Sequence, residues 1–464
     1  MSSIKRSEIL LGKIRDQQPL TRREQYNLIV ELSIPSMLAQ ITTVMMFFID
    51  ASMVGHLGAE ASASIGLIES TTWLMGSLMG AMAIGFSVQV AHFIGAKDFF
   101  KARQVFRHAL IFGGIFSLLI SIIGVSIHSP LPFWLGGGKE IAHDSSNYFF
   151  IYSLTLPVVF LFHLMSAMQK SSGDMRMPSV LSIILCVLDV VFNYFFIYIL
   201  HYGVMGAALG TMSAYVVTVL PMANTALRRN KILALHLDTV PFRWTWSYVR
   251  NAMKISLPIA LQQILMNGAQ VVSTLIVAPL GNIAIAANSF AITAESLCYM
   301  PGYGIGDAAS TLVGQTYGAR RADLCKSFAH KTIGLGMVVM AFMGVVMYIF
   351  APEMIGFLSP VSEIRELGAT VLRIEAFAEP FFAASIVSYS VCVGAGDAFK
   401  PAIMNLISMW GVRLTLAYWL AQSYGLRGVW FAMATELTFR GIIFLIRIFK
   451  GNWMKGLAPA TQVE

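Results

Sequence analysis

Residues 28–54 read LIVELSIPSMLAQITTVMMFFIDASMV. About 20 apolar residues span a bilayer core, so this run is long enough to cross one, with Asp50 held near its far end. Eleven more runs follow, near 62–92, 105–128, 147–169, 178–200, 204–227, 252–279, 284–316, 330–350, 367–393, 401–421 and 427–449. They are too long for barrel strands, and in lipid a lone segment satisfies its backbone only as a helix. Apolar residues make up 56% of the 464 and charged residues only 12%, against about 25% charged in a soluble domain. Mean hydropathy is +0.69. The expectation is an all-α membrane protein of twelve transmembrane helices.

The net charge of +8 is an orientation signal. Lys and Arg gather in alternate loops, at Lys5, Arg6, Lys13 and Arg15, then Lys97, Lys101 and Arg103, then Arg228, Arg229 and Lys231, then Arg320, Arg321 and Lys326. The other loops hold only Lys139, Arg365, Arg373 and Arg427. This positive-inside pattern places both termini in the cytoplasm, within a plasma membrane, and no nucleic-acid partner is expected. The first 27 residues lack the apolar centre of a cleavable signal. Cys186, Cys298, Cys325 and Cys392 lack metal-ligand spacing and read as reduced structural thiols.

The chain repeats itself. Ile34-Pro-Ser-Met-Leu-Ala-Gln-Ile aligns with Leu257-Pro-Ile-Ala-Leu-Gln-Gln-Ile, an offset of 223 (257 minus 34). The same offset joins Leu57-Gly58 to Leu280-Gly281, Gly95-Ala96 to Gly318-Ala319, Pro157 to Pro380, Gly173-Asp174 to Gly396-Asp397, and Pro178 to Pro401. Each half holds six spans, an even number, so the two are parallel repeats about an axis along the membrane normal. The expected organisation is a cytoplasmic segment 1–27, an N-terminal six-helix lobe 28–227, a cytoplasmic linker 228–251, a C-terminal lobe 252–449 and a cytoplasmic tail 450–464. Such halves commonly rock to give alternating access.

An acid required by the fold alone would occur in both halves. Asp50 faces Ser273 across the repeat, Asp189 faces Val412, Asn193 faces Leu416 and Thr211 faces Met433. The polar set belongs to the first half. Asp189 and Asn193 are one turn apart on one helix face, at a depth comparable to Asp50 and Thr211. A charge at a helix centre costs about 2.5–3.5 kcal/mol on insertion scales. Two neighbouring carboxylates resist ionising together, so one can hold a proton near neutral pH. The same oxygens could instead share a hard cation such as sodium. Each acid could also serve only as a hydrogen-bond acceptor within the bundle.

The second half carries Glu295, Glu379, Arg413 and Glu436 within its spans, and Glu69 lies in the second span. Arg413 with Glu379 or Glu436 would be a structural pair. Glu69, Glu295 and Glu379 are candidates for binding a cationic substrate, beside aromatic rings. The 27 methionines suit a surface that repacks around varied ligands, although they also serve as ordinary filler. Pro35 interrupts the first span and is a candidate hinge. "GYGIGDAAS" at 302–310 lacks a preceding strand and reads as small residues for close helix packing. No nucleotide motif, catalytic constellation or zinc spacing emerges, so neither enzyme activity nor a cofactor is expected.

Four stretches together resemble the MATE (multidrug and toxic compound extrusion) family: "FFIDASMVGHLG" at 47–58, "LDVVFNYFFIY" at 188–198, "ESLCYMPGYGIGDAASTLVGQTYGA" at 295–319 and "VGAGDAFKPA" at 393–402. The run "STLVGQTYGA" is most similar to the DinF-like branch. The resemblance implies the two-lobe MATE/MOP superfamily fold and export of amphipathic, mostly cationic drugs against inward H+ or Na+. It implies a coupling acid at Asp50 and a partner threonine at Thr211. Related chains place Asn before Asp in the fifth span, whereas this one reads Asp189 then Asn193. Some sodium-coupled relatives carry acids where this chain has Met266 and Ala384, which favours protons and the N-terminal lobe. A monomer in the lipid bilayer is the default expectation. The alternatives are a lipid-linked oligosaccharide flippase of the same superfamily, disfavoured by the excess of intramembrane acids, and a non-transporting membrane protein.

Overall fold

A computed structural model describes residues 3–457, which are helical apart from short turns and the mostly irregular stretch 230–245. The elements are α1 (Ser3–Arg15), α2 (Arg22–Gly55), α3 (Ala59–Gly95), α4 (Phe99–Ile127), α5 (Leu131–Trp134), α6 (Lys139–Ser171), α7 (Arg176–Tyr194) and α8 (Val204–Asn224). The second half has α9 (Trp246–Val277), α10 (Asn282–Gly318), α11 (Ala322–Leu358), α12 (Ser362–Ala376), α13 (Glu379–Gly394), α14 (Phe399–Leu406), α15 (Leu414–Tyr424) and α16 (Leu426–Lys450). Among the described residues, ten helices are long and apolar enough to cross a membrane, and α12 with α13, bent by 59°, make an eleventh span. The twelfth rod is α14 and α15 joined through the π-helical Ile407–Arg413, diluted in hydropathy by Lys400 and Arg413. The twelve-span expectation therefore stands.

The repeat is written into the backbone. Gly58 and Gly281 have φ of 119° and 103°, Gly173 and Gly396 of 94° and 86°, and Gly203 and Gly425 of 61° and 63°. Even the non-glycine Lys97 has a twin in Arg320, at 59° and 57°. Left-handed backbone is uncommon outside glycine, so its recurrence at matched sites marks the same turn built twice. The outward faces match as well. On α4, Ile115, Leu119 and Ile122 are exposed, and their counterparts on α11 are Val338, Phe342 and Val345. Apolar side chains at helical spacing left outside the packed interior form a stripe suited to lipid.

Contacts divide the chain into two units, Thr42–Ala260 and a second made of Met1–Ile41 with Leu261–Glu464. The divisions fall inside α2 and α9, not at the expected lobe edges near 28 and 252. The reason is local packing. The Ser36 hydroxyl donates to Asp307 of α10 at 2.8 Å, and a Cβ on Gly304 would lie 2.6 Å from the Met37 backbone. The first part of α2 is thus pressed onto α10 of the second unit. Conversely, the start of α9 meets α3: a Cβ on Gly85 would lie 1.9 Å from Ser256 Oγ, and Gln89 donates to Tyr248 O at 2.7 Å.

Lipid tails are as apolar as leucine, so helices in a bilayer associate through close packing and interhelical hydrogen bonds. In Thr42–Ala260, α6 is central and touches α3, α4 and α8. Gly113 on α4 leaves room for the Phe160 ring, and Gly124 for Ser153, both on α6. Ser145 and Ser171 at the two ends of α6 donate to backbone carbonyls of α3. In the other unit, α10 and α13 pack on α11, and Gly302 and Gly306 of the small-residue run meet Met340 and Ser390. All four cysteines are buried thiols.

Candidate functional site

Three elements of the first unit bring the polar set together. Asp189 and Asn193 share one face of α7, whose last turn continues as a π-helical segment, Phe195–Ile199. Such widened turns occur often at functional sites. The later part of α2 supplies Asp50 and is held beside this segment by Tyr198, whose hydroxyl donates to Met53 O at 2.7 Å. The third element, α8, approaches through the pair Gly206 and Gly210. A Cβ on Gly210 would sit 2.0 Å from Asn193 Oδ1 and 2.7 Å from Asn193 N, and one on Gly206 would sit 2.8 Å from Phe196 O. Only glycine permits this contact, in the small-xxx-small manner.

Asn193 is the keystone. Its amide nitrogen donates to Asp50 Oδ1 at 3.0 Å and to Asp189 Oδ2 at 3.2 Å. An amide has two hydrogens, and this one gives one to each acid. Asp189 and Asn193 are 1% and 2% exposed, and Asp50 is half-buried. Asp189 Oδ1 and Asn193 Oδ1 are buried acceptors that no donor reaches among the described residues. Two acids bridged by one neutral donor, with lone pairs left over, form a place that a proton or small cation would complete. Thr211 lies next to Asp189, with its own hydroxyl donating to Ala207 O at 3.2 Å.

The other candidates separate into three groups. Glu69 is exposed on α3 and joins neither acid. Glu436 is fully buried and takes both guanidinium groups, Arg413 at 2.6 Å on Oε2 and Arg440 at 2.6 Å on Oε1, with the Ser408 hydroxyl as a further donor. Arg413 therefore chooses Glu436 over Glu379. Arg440, one turn beyond Glu436, is a partner the sequence reading missed. Glu295 and Glu379 meet Glu375, a third acid also missed. One oxygen from each lies within 4.8 Å of the others, and all three are buried.

Glu295, Arg413 and Arg440 also line a cavity of ≈ 220 Å³ in this second unit, with Tyr299, Phe382 and Trp430. Pro35 lies within a continuous α2, shortly before the division at Ile41 and Thr42.

Comparison with known proteins agrees with this architecture. A probable multidrug resistance protein NorM from Thermotoga maritima is 23% identical over 450 residues, covering 95% of each chain. A crystal structure of MATE in complex with MaL6 superposes with a TM-score of 0.89 at 21% identity, covering 93% of this chain and 97% of that one. An outward-facing multidrug resistance MATE family transporter of the MOP superfamily gives a TM-score of 0.87 at 22% identity, covering 92% and 96%. The MatE family model matches twice, over residues 35–195 and 258–419. Its two starts differ by 223 (258 minus 35), the offset of the internal repeat. With most of the chain so matched, and both matches falling on the repeated spans, this protein belongs to the MatE family.

Proposed function

We propose that the chain is a secondary active multidrug efflux transporter. It exchanges inward H+ for amphipathic, mostly cationic drugs by alternating access, in a plasma membrane with both termini cytoplasmic. The observation that carries this reading is the Asn193 amide bridging Asp50 and Asp189, at positions whose repeat partners are Val412, Leu416 and Ser273. The names of its relatives support multidrug resistance as the physiological setting.

With both acids ionised, Asn193 donates both hydrogens and its Oδ1 stays unpartnered. A proton arriving on one acid turns an acceptor into a donor. The amide then meets its best partner by turning its oxygen toward the new hydroxyl. Proton uptake thus reorganises the contact between α2 and α7, and Thr211 adjusts beside Asp189. The Pro35 break in hydrogen bonding lets α2 yield at the point where its packing passes from one unit to the other. Drug and proton favour opposite states, and their coupling is reciprocal. Glu69, Glu295 and Glu379 are the acids proposed to attract the cationic substrate. Sodium at Asp50 and Asp189 is the competing ion. Met266 and Ala384, where sodium-coupled relatives carry acids, favour protons.

The test is ethidium efflux from proteoliposomes under an imposed pH gradient or an imposed sodium gradient. Efflux that follows the pH gradient supports the reading. Efflux that follows sodium alone overturns the proton assignment, and no gradient-driven efflux of any cationic drug overturns the transport assignment.

A further inference from the structure

The second unit holds a carboxylate cluster that the Asp50 scheme does not use. Glu295 comes from α10, Glu375 from the last turn of α12 and Glu379 from the first turn of α13. The 59° bend between α12 and α13 turns Glu375 and Glu379 toward Glu295. The bend has a local cause. Pro380 follows Glu379 at the start of α13, where its missing N–H costs nothing, and Ala378 N closes the preceding turn on Glu375 O at 2.8 Å.

Two independent observations point to a ligand. One oxygen from each of the three acids lies within 4.8 Å of the others. Glu375 and Glu379 are each 0% exposed, and all four of their carboxylate oxygens lack a hydrogen-bond donor among the described residues. Surrounding groups do not supply the missing charge. Cys298, Tyr299 and Tyr303 face the cluster from α10. From α11, Gly344, which carries no charge, packs against the Glu379 side chain. Arg413 lies near Glu295, but Arg413 and Arg440 are both engaged by Glu436 on α16. Three ionised carboxylates this close, two of them without a hydrogen-bond donor among the described residues, require positive charge from elsewhere.

We infer that Glu295, Glu375 and Glu379 form a second proton-binding site, distinct from the Asp50 set, whose charge governs cation binding in the adjoining cavity. Its residues are not Met266 and Ala384, the positions where sodium-coupled relatives carry acids. Glu375 sits at the carbonyl end of α12, which disfavours negative charge, and Glu379 at the amide end of α13, which favours it. The proton therefore resides on Glu375 and is shared toward Glu379. Glu295 is the member that reaches the cavity, beside Tyr299, Phe382 and Trp430. When the cluster is protonated, the cavity loses the negative charge that attracts a cationic ring system.

Proton occupancy can be measured without transport, so its test is separable from the efflux reading. Full-length protein carrying Asp50→Asn and Asp189→Asn silences the first site. Infrared difference spectra between about pH 6 and about pH 9, a window for displaced carboxyl groups, should still show a carboxyl C=O band. Glu375→Gln in that background should remove it. Glu379→Gln serves as the second variant, and each must give a monodisperse, helical protein. Ethidium binding should weaken on the order of tenfold on acidification, as expected for loss of one nearby charge, and Glu375→Gln should abolish that dependence. No band in the silenced background, or a band untouched by both glutamine variants, overturns the inference. A carboxylate band that moves with added sodium at fixed pH overturns it in favour of a sodium ion.

Discussion

Asp50→Asn isolates coupling from folding. Asn193 Nδ2 lies 3.0 Å from Asp50 Oδ1, and a hydrogen bond to a charged acceptor contributes about 1.5–3 kcal/mol against about 0.5–1.5 kcal/mol for a neutral one. The amide is nearly isosteric and keeps an acceptor oxygen, so the fold should lose only about 1–1.5 kcal/mol, a shift of a few degrees in Tm. Transport should change in kind. One proton moving down a gradient of one pH unit releases about 1.36 kcal/mol, which sustains about a tenfold drug gradient at one-to-one exchange. Without an ionisable group at position 50 that work cannot be captured, and the drug should only equilibrate. The assay is ethidium accumulation in inside-out proteoliposomes, with acid inside, at matched protein loading. Wild type should reach about tenfold accumulation per pH unit and the variant none, while drug binding in detergent persists. A variant that still concentrates ethidium as wild type does would refute the assignment of Asp50 and the exchange scheme built on it.

Gly210→Ala places a Cβ 2.0 Å from Asn193 Oδ1 and against its backbone, so α8 must retreat. A cost of about 1–3 kcal/mol should appear as a lower Tm together with lost coupling. Arg413→Ala breaks the buried contact with Glu436 at 2.6 Å, and thermal unfolding in detergent should show a loss of about 3–5 kcal/mol, reduced because Arg440 remains. Pro35→Ala restores a helical hydrogen bond in α2; stopped-flow transport should slow while equilibrium ethidium affinity stays within about twofold, less than 0.5 kcal/mol. Gly85→Leu drives a side chain into Ser256 Oγ and Ala252 O, and detergent extracts should contain little monodisperse protein.

Much of the fold was legible because the bilayer leaves few options. A long apolar run is a helix, and a constant offset of glycines and prolines marks a duplication. The pairing of Asp189 with Asn193 was legible from four-residue spacing. Their approach to Asp50 followed from depth, which a membrane fixes more tightly than a soluble fold would. Glu375 was not legible, because the acid cluster depends on a bend between α12 and α13 whose direction no periodicity encodes. Arg440 lies midway along the run 427–449, and its place four residues after Glu436 was the readable signal of their pairing. The division of α2 at Ile41 and Thr42 was hidden because the run is continuously apolar, and what divides it is which neighbour its glycine-sized contacts touch.

The exchange of first spans bears on the origin of the chain. The opening segment of α2 packs with the second unit, and the opening segment of α9 packs with the first. If the two halves were once separate copies of a six-helix ancestor, each copy would have lent its leading arm to its mate, as in a domain-swapped pair. Fusion then made that trade intramolecular. Halves produced as separate polypeptides should accordingly be poorly behaved alone and recover together, each providing the arm that the other lacks.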